Sequence, residues 1–133
     1  TLILSNSLGN FTQKLRILRD ISMGMAYLHG RSIIHRDLKP DNILVSEHMI
    51  AKISDFGVSK EGSSMISGGS QVTKAGTSKY MAPEVTKGET YTSKCDVYSF
   101  GIMTYEVMFN TLRPYGDKLA YSIENVVSNG MYF

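Results

Sequence analysis

The stretch that most constrains this chain is Ile33-Ile34-His35-Arg36-Asp37-Leu38-Lys39-Pro40-Asp41-Asn42-Ile43-Leu44-Val45, with Asp55-Phe56-Gly57 starting ten residues after Val45. Two short apolar, β-like runs bracket a charged loop holding a carboxylate, a lysine and a carboxamide, and a second carboxylate follows on a new turn. Each residue type has a chemical use. Asp37 can accept a proton from an attacking hydroxyl, Lys39 can balance charge on a phosphoryl group, and Asn42 with Asp55 offers the hard oxygen ligands that Mg²⁺ requires. Pro40 stiffens the loop between them. The set is suited to handling a phosphate and a metal ion.

At these residues the chain resembles the eukaryotic protein kinases, whose signatures are H-R-D-L-x-x-x-N, D-F-G and A-P-E. Here they read His35-Arg36-Asp37-Leu38 with Asn42, then Asp55-Phe56-Gly57, then Ala82-Pro83-Glu84, in the family's order. The resemblance implies ATP and Mg²⁺ as cofactors, with Lys39, Asn42, Leu44 and Asp55 at the nucleotide, Asn42 and Asp55 at the metal, and Asp37, Lys39, Asn42 and Thr77 in catalysis. Leu44 matches the residue that packs beneath adenine, and His35 and Phe56 match two members of a stacked apolar spine. Plain core packing is the alternative for these last three.

Composition is permissive: 133 residues, 42% hydrophobic and 20% charged, with net charge +2, describe a globular domain with a real core. The weak, scattered basicity gives no reason to expect nucleic acid as a partner. No run approaches the ~20 apolar residues of a membrane span, so no membrane contact is expected within the chain. One cysteine, Cys95, cannot form an internal disulfide, which fits a reducing intracellular, cytoplasmic setting; its plainest use is as a small buried side chain.

Along the chain, residues 1–10 correspond by resemblance to the hinge and the short helix after it. From Thr12 to His29, Leu15, Leu18, Ile21, Met25 and Leu28 recur at helical spacing, and Gly30 is placed to end that helix. Gly24 inside it is unfavourable by about 1 kcal/mol relative to alanine, so a neighbouring element should pack closely there. Ile43–Val45 and Ile50–Ile53, joined by Ser46–Met49, read as a hairpin. Ile50-Ala51-Lys52 echoes the kinase V-A-I-K but lies on the wrong side of the catalytic loop, which leaves Lys52 a solvated strand residue and His48 an exposed turn residue.

Between Gly57 and Ala82 the composition turns to Ser, Gly, Thr and Lys: a surface loop by composition, and the activation segment (55–84) by resemblance. Within it Thr73 is the expected phosphorylation site, ahead of Ser70, Ser67 and Thr77, and by the same resemblance Arg36 and Lys60 are the basic residues that would receive the phosphate. Ser93 to Phe109 is apolar on nearly every face and reads as a helix buried on all sides. Asp96 can be read in two ways, as part of a capping box with Ser93 or, by resemblance, as the acid that holds backbone amides of the catalytic loop. Glu106 matches a position that often faces the substrate peptide, and Glu84 matches a carboxylate that pairs with an arginine further along the domain. Arg113-Pro114-Tyr115-Gly116 breaks the chain, and Leu119 to Ser128 reads as another helix.

Lys39, two residues after Asp37, and Gly76-Thr77 resemble the serine/threonine enzymes, and Asp96-Val97-Tyr98-Ser99-Phe100-Gly101 has the flavour of the tyrosine-kinase-like group. The implied fold is mainly α with a short β hairpin, the C-terminal lobe of the kinase fold truncated at both ends. Residues 1–133 then form a partial kinase domain with catalytic loop 33–45, activation segment 55–84 and buried helix 93–109. No G-x-G-x-x-G precedes the loop, so the small lobe is absent from this reading and the isolated chain is expected to be inactive. Two functions follow: part of a kinase acting on Ser or Thr of protein substrates, or a truncated kinase-like binding module without catalysis. Retention of Asp37, Lys39, Asn42 and Asp55 together favours the first.

Overall fold

Asn10 starts the first helix by a reciprocal cap. The computed structural model describes residues 10–56, 60–61, 78–111, 115–116, 125–127 and 129–130. In it the Asn10 side chain accepts the N–H of Gln13 and the Gln13 side chain accepts the N–H of Asn10, each at 3.1 Å. Helix α1 (Phe11–Gly30) follows, burying Lys14, Ile17, Leu18, Ile21, Met25 and Leu28.

This stripe corrects one expected position. Leu15 is exposed and Ile17 is fully buried, because the apolar face continues toward the N-terminus through Ile17 to Lys14. The Lys14 ammonium donates to the Met108 carbonyl at 3.1 Å, filling one of the acceptors left open at the end of the other long helix.

Strands β1 (Ile33–Ile34) and β4 (Lys60–Glu61) pair antiparallel, Ile34 opposite Lys60; β2 (Ile43–Val45) and β3 (Ala51–Ile53) form the hairpin, Leu44 opposite Lys52. Ile50 falls in the turn rather than the strand, where Met49 takes a left-handed φ of 59°. Helix α1 lies against β3, where the Asp20 carboxylate accepts the N–H of Ala51 at 3.2 Å. A Cβ on Gly24 would stand 2.9 Å from Ile53 Cδ1, which is the close packing that a glycine permits.

A short helix α2 (Pro83–Thr86) precedes helix α3 (Lys94–Phe109). The main core joins Ile17, Leu18, Ile21, Met25 and Leu28 of α1 to Leu38, Ile43 and Ala51, and to Met103 and Val107 of α3. Full burial of each such aliphatic side chain contributes about 1.5–3 kcal/mol.

Helix α3 departs from the expected all-round burial. It buries Cys95, Asp96, Ser99, Ile102, Met103, Glu106 and Val107, while Val97 and Phe109 are exposed. Its buried face includes an aspartate, a serine and a glutamate, so it is a face for holding polar groups as well as apolar ones. Asn110 closes it in the left-handed conformation, φ 51°. Ser93 makes no side-chain cap, which removes the capping-box reading of Asp96. Arg113 and Pro114 lie outside the described residues; of the stretch from Leu119 to Ser128, residues 125–127 are described and helical, with Val127 buried.

Candidate active site

The loop between β1 and β2 is held at its base by Asp96. One carboxylate oxygen accepts the His35 N–H at 2.9 Å and the other accepts the Arg36 N–H at 2.8 Å. His29, at the end of α1, places Nε2 2.9 Å from the first of these oxygens. Arg36 has φ 71°, a conformation that a non-glycine residue rarely adopts, and the two N–H hydrogen bonds donated to a buried carboxylate stabilise it there.

His35 is fully buried and ties the two signature segments together. The Asp37 N–H donates to its Nδ1 at 3.3 Å, so Nδ1 is the acceptor and Nε2 carries the proton, donated to the Ser54 carbonyl at 3.1 Å. The ring also meets Phe56 edge-on, centroids 5.6 Å apart.

Asp37 stands at the centre. Its Oδ2 accepts from Lys39 Nζ at 2.8 Å and from Asn42 Nδ2 at 3.1 Å, and its backbone carbonyl accepts the same Asn42 amide at 2.7 Å. Its Oδ1 is buried with no hydrogen-bond partner among the described residues. Buried Leu38 anchors the loop in the core, and Pro40 opens the 3₁₀ turn Pro40–Asn42 that points the carboxamide back at Asp37. Because the Asn42 nitrogen is committed to Asp37, its carbonyl oxygen is the atom left for another ligand.

Asp55 is joined to this loop through its neighbour. Ser54 donates its N–H and its hydroxyl to the backbone carbonyl of Asn42 at 2.8 and 3.0 Å, leaving the side-chain Oδ1 untouched, and Asp55 follows, exposed, with φ 59°. Leu44 points outward from β2, 58% exposed, whereas Ile43 before it is fully buried.

The remaining expected site residues fall elsewhere. Gly57, Thr73 and Thr77 lie outside the described residues, and Lys60 is described only by its backbone place in β4. Glu84 is half-buried in the first turn of α2 and makes no ion pair among the described residues.

Glu106 also departs from expectation. It is fully buried, with Oε1 taken by Lys79 Nζ at 2.7 Å and Oε2 by the Tyr80 hydroxyl at 2.7 Å, rather than open to a peptide. Ser99 adds a hydrogen bond from its hydroxyl to the Tyr80 carbonyl at 2.7 Å, so α3 grips the 3₁₀ turn Ser78–Tyr80 as well as the catalytic loop.

Sequence reasoning missed several of the residues that hold the fold and the site. Asn10 had a legible signal, a carboxamide at both ends of an N-x-x-Q capping pattern. Lys14, His29 and Tyr91, whose hydroxyl accepts from Arg36 Nη1 at 3.0 Å, had none, because their partners are 55 to 94 residues away.

Residues 4–132 match the family model described as protein tyrosine and serine/threonine kinase. The chain belongs to that family. It is 40% identical over 121 residues to the RGS domain-containing serine/threonine-protein kinase A of Dictyostelium discoideum, covering 91% of this chain and 10% of that protein. It is 36% identical over 121 residues to the tyrosine-protein kinase SPK-1 of Girardia tigrina, covering 91% of this chain and 24% of that one. A probable LIM domain-containing serine/threonine-protein kinase of Dictyostelium discoideum is 42% identical over 124 residues, with 92% and 18% covered. The chain thus spans between a tenth and a quarter of the length of these three kinases. Its mostly helical build with a small antiparallel hairpin is that of the large lobe of a protein kinase.

Proposed function

We propose that the chain is the large-lobe part of a serine/threonine protein kinase, which transfers the γ-phosphate of Mg·ATP to Ser or Thr hydroxyls of protein substrates. The observation that carries this reading is the divided role of the Asp37 carboxylate. Oδ2 is clamped by Lys39 and Asn42, while Oδ1 is buried without a partner among the described residues. Leaving such an acceptor unsatisfied costs about 1–3 kcal/mol, so the site is built to be completed by a donor that arrives with the substrate. A hydroxyl is that donor. Asp37 orients it and accepts its proton as the oxygen attacks.

The residues present fit the metal and the nucleotide. Asn42 keeps a carbonyl oxygen free of Asp37, Asp55 presents an exposed carboxylate tethered through Ser54, and two hard oxygens are what Mg²⁺ takes from protein in a site shared with phosphates. When bound, Mg·ATP supplies the phosphoryl group and the positive charge that offsets its oxygens. Lys39 keeps its ammonium beside Asp37, at the place where charge on the moving phosphoryl needs balancing, and exposed Leu44 offers an apolar ledge for the base. Lys39 two positions after Asp37 supports Ser and Thr as acceptors, as does the naming of most of the similar kinases as serine/threonine kinases.

The test uses the full-length protein with γ-labelled ATP and a generic protein substrate, followed by phosphoamino acid analysis. Label on Ser and Thr that is lost in Asp37→Asn is the expected result. Label on Tyr, or undiminished label in Asp37→Asn, would overturn the reading. The 133-residue chain alone is expected to transfer none, since it contains no glycine-rich phosphate lid.

A further inference from the structure

Arg36, the residue immediately before Asp37, is braced at both ends by one region of the chain. Its backbone N–H donates to Asp96 of α3 at 2.8 Å, and at the far end of its side chain Nη1 donates to the Tyr91 hydroxyl at 3.0 Å. Tyr91 lies in the connection between α2 and α3, five positions before Asp96. It is buried, and it shares one apolar cluster with Ile34 of β1, Ala82 of the A-P-E triplet and Cys95 of α3. A ring clamped in such a cluster holds its oxygen at a fixed point, and a bond from a guanidinium to that oxygen is stronger than one between neutral groups.

Asp37 depends on its neighbour for position. Lys39 and Asn42 fix its carboxylate from the side of the loop that follows it. On the preceding side its own N–H reaches His35 Nδ1 at 3.3 Å, a long contact beside the 2.9 and 2.8 Å bonds that hold the N–H groups of His35 and Arg36. Arg36 has φ 71°, and a residue in that conformation stays there only while its surroundings hold it. Asp96 holds the backbone and Tyr91 holds the side-chain tip, so rotation about the Arg36 backbone is resisted at two points.

We infer that Tyr91 is a positioning residue for phosphoryl transfer, whose hydroxyl anchors the Arg36 guanidinium to the α2–α3 connection and so holds Asp37 in register with the acceptor hydroxyl. The inference rests on the kinase reading above and goes further, to a residue outside the catalytic loop and its signature segments. Tyr91 is buried and acts through Arg36, so its removal bears on the chemical step and not on the binding of ATP or peptide. A misplacement of about 1 Å at a reacting group can lower the rate on the order of 10²-fold, and one loosened restraint among several should lower it by about threefold.

The test pairs Tyr91→Phe with Arg36→Ala in the full-length enzyme. Phenylalanine keeps the ring in its cluster and removes only the hydroxyl. Tyr91→Phe should lower kcat about threefold, with KM for ATP and for a Ser peptide within about twofold of wild type. Arg36→Ala should lower kcat at least as far, and the double variant should be no slower than Arg36→Ala alone, since one contact cannot be lost twice. Hydrogen exchange of the Arg36 and Asp37 amides should be about threefold or more faster in Tyr91→Phe, a measurement that needs no activity and no second substitution. Unchanged kcat in Tyr91→Phe would overturn the inference, as would a loss confined to KM, losses that multiply in the double variant, or exchange at the wild-type rate. Absence of transfer by wild type would overturn the kinase reading and the positioning role with it, and the exchange rates would still tell that failure from failure of the tether.

Discussion

Asp96 reaches across 60 positions of sequence to accept the backbone N–H of Arg36 at 2.8 Å. The same carboxylate accepts the His35 N–H, so the residues immediately before Asp37 are positioned by a helix that contributes nothing directly to the chemistry. Asp96→Ala would leave two amides without their acceptor and release the strained φ of Arg36. The expected loss is about 2–5 kcal/mol of stability, with activity falling further than stability alone explains. Asp96→Asn retains one acceptor and should lose less. Denaturant midpoints and kcat of the full-length variants, measured side by side, check both.

Asp37→Asn and Asp55→Asn should each remove activity by different routes. The first keeps the shape of the loop but loses the proton acceptor, with an expected fall in kcat of about 10²–10⁴-fold and little change in nucleotide affinity. The second removes one of two oxygens proposed for Mg²⁺, so the Mg²⁺ concentration for half-maximal nucleotide binding should rise. Titration of Mg²⁺ against a fluorescent ATP analogue separates them. Unchanged Mg²⁺ dependence in Asp55→Asn would refute the metal assignment.

What could be read from the sequence followed contact distance along the chain. Helix α1, the hairpin and the loop residues Asp37, Lys39 and Asn42 depend on neighbours within a few positions, and periodicity or motif spacing shows them. The stripe of α1 was misread at Leu15 because its continuation, Lys14, is a charged residue that hides its stem in the core. Strand β4 was not legible, since two residues in a polar stretch carry no period of their own and pair only because Ile33 and Ile34 lie beside them. The face of α3 was misjudged for a related reason. Hydrophobicity ranked Val97 and Phe109 as core, but the buried side was decided by polar partners for Asp96, Ser99 and Glu106.

Gly24 should tolerate alanine and reject larger residues. Alanine favours the helix by about 1 kcal/mol, and its Cβ would meet only the mobile tip of Ile53 at 2.9 Å. The two effects oppose one another, so Gly24→Ala should melt close to wild type. Gly24→Leu has no room between α1 and β3 and should lose about 1–3 kcal/mol by thermal or denaturant unfolding.

Alkaline pH should destabilise the domain through Cys95. Burial, and then the charge of Asp96, push its thiol from 9.0 up to about 12, so the folded protein keeps the proton that the unfolded chain gives up. Stability from this source is complete below pH 9 and is lost as pH rises from 9 toward 12, since above 9 the unfolded state binds fewer protons. Cys95→Ala should flatten that part of the pH profile. The thiol of the native protein should also resist alkylation at pH 8 and react once denaturant is added.

Thr73 should be the activating phosphorylation site of the intact kinase. Thr73 lies outside the described residues, in a stretch whose composition gives little apolar surface to order it. The described part supplies the receiving end. Asp96 fixes the Arg36 backbone, Tyr91 steadies its guanidinium at 3.0 Å, and the β1–β4 pairing sets Lys60 opposite Ile34, two positions before Arg36. A phosphate brings about −1.5 to −2 charges and one to three charge-assisted hydrogen bonds, enough to shift a loosely held segment toward one arrangement. Thr73→Ala and Arg36→Ala should each lower activity, and the double variant should be little worse than either, because both remove the same contact. Tyr91→Phe serves as the control: it takes away the steadying hydroxyl but leaves the guanidinium, so phosphorylation should still activate it. Full activity in Thr73→Ala, with phosphate mapped to Ser67 or Ser70, would move the switch to another residue of the same segment.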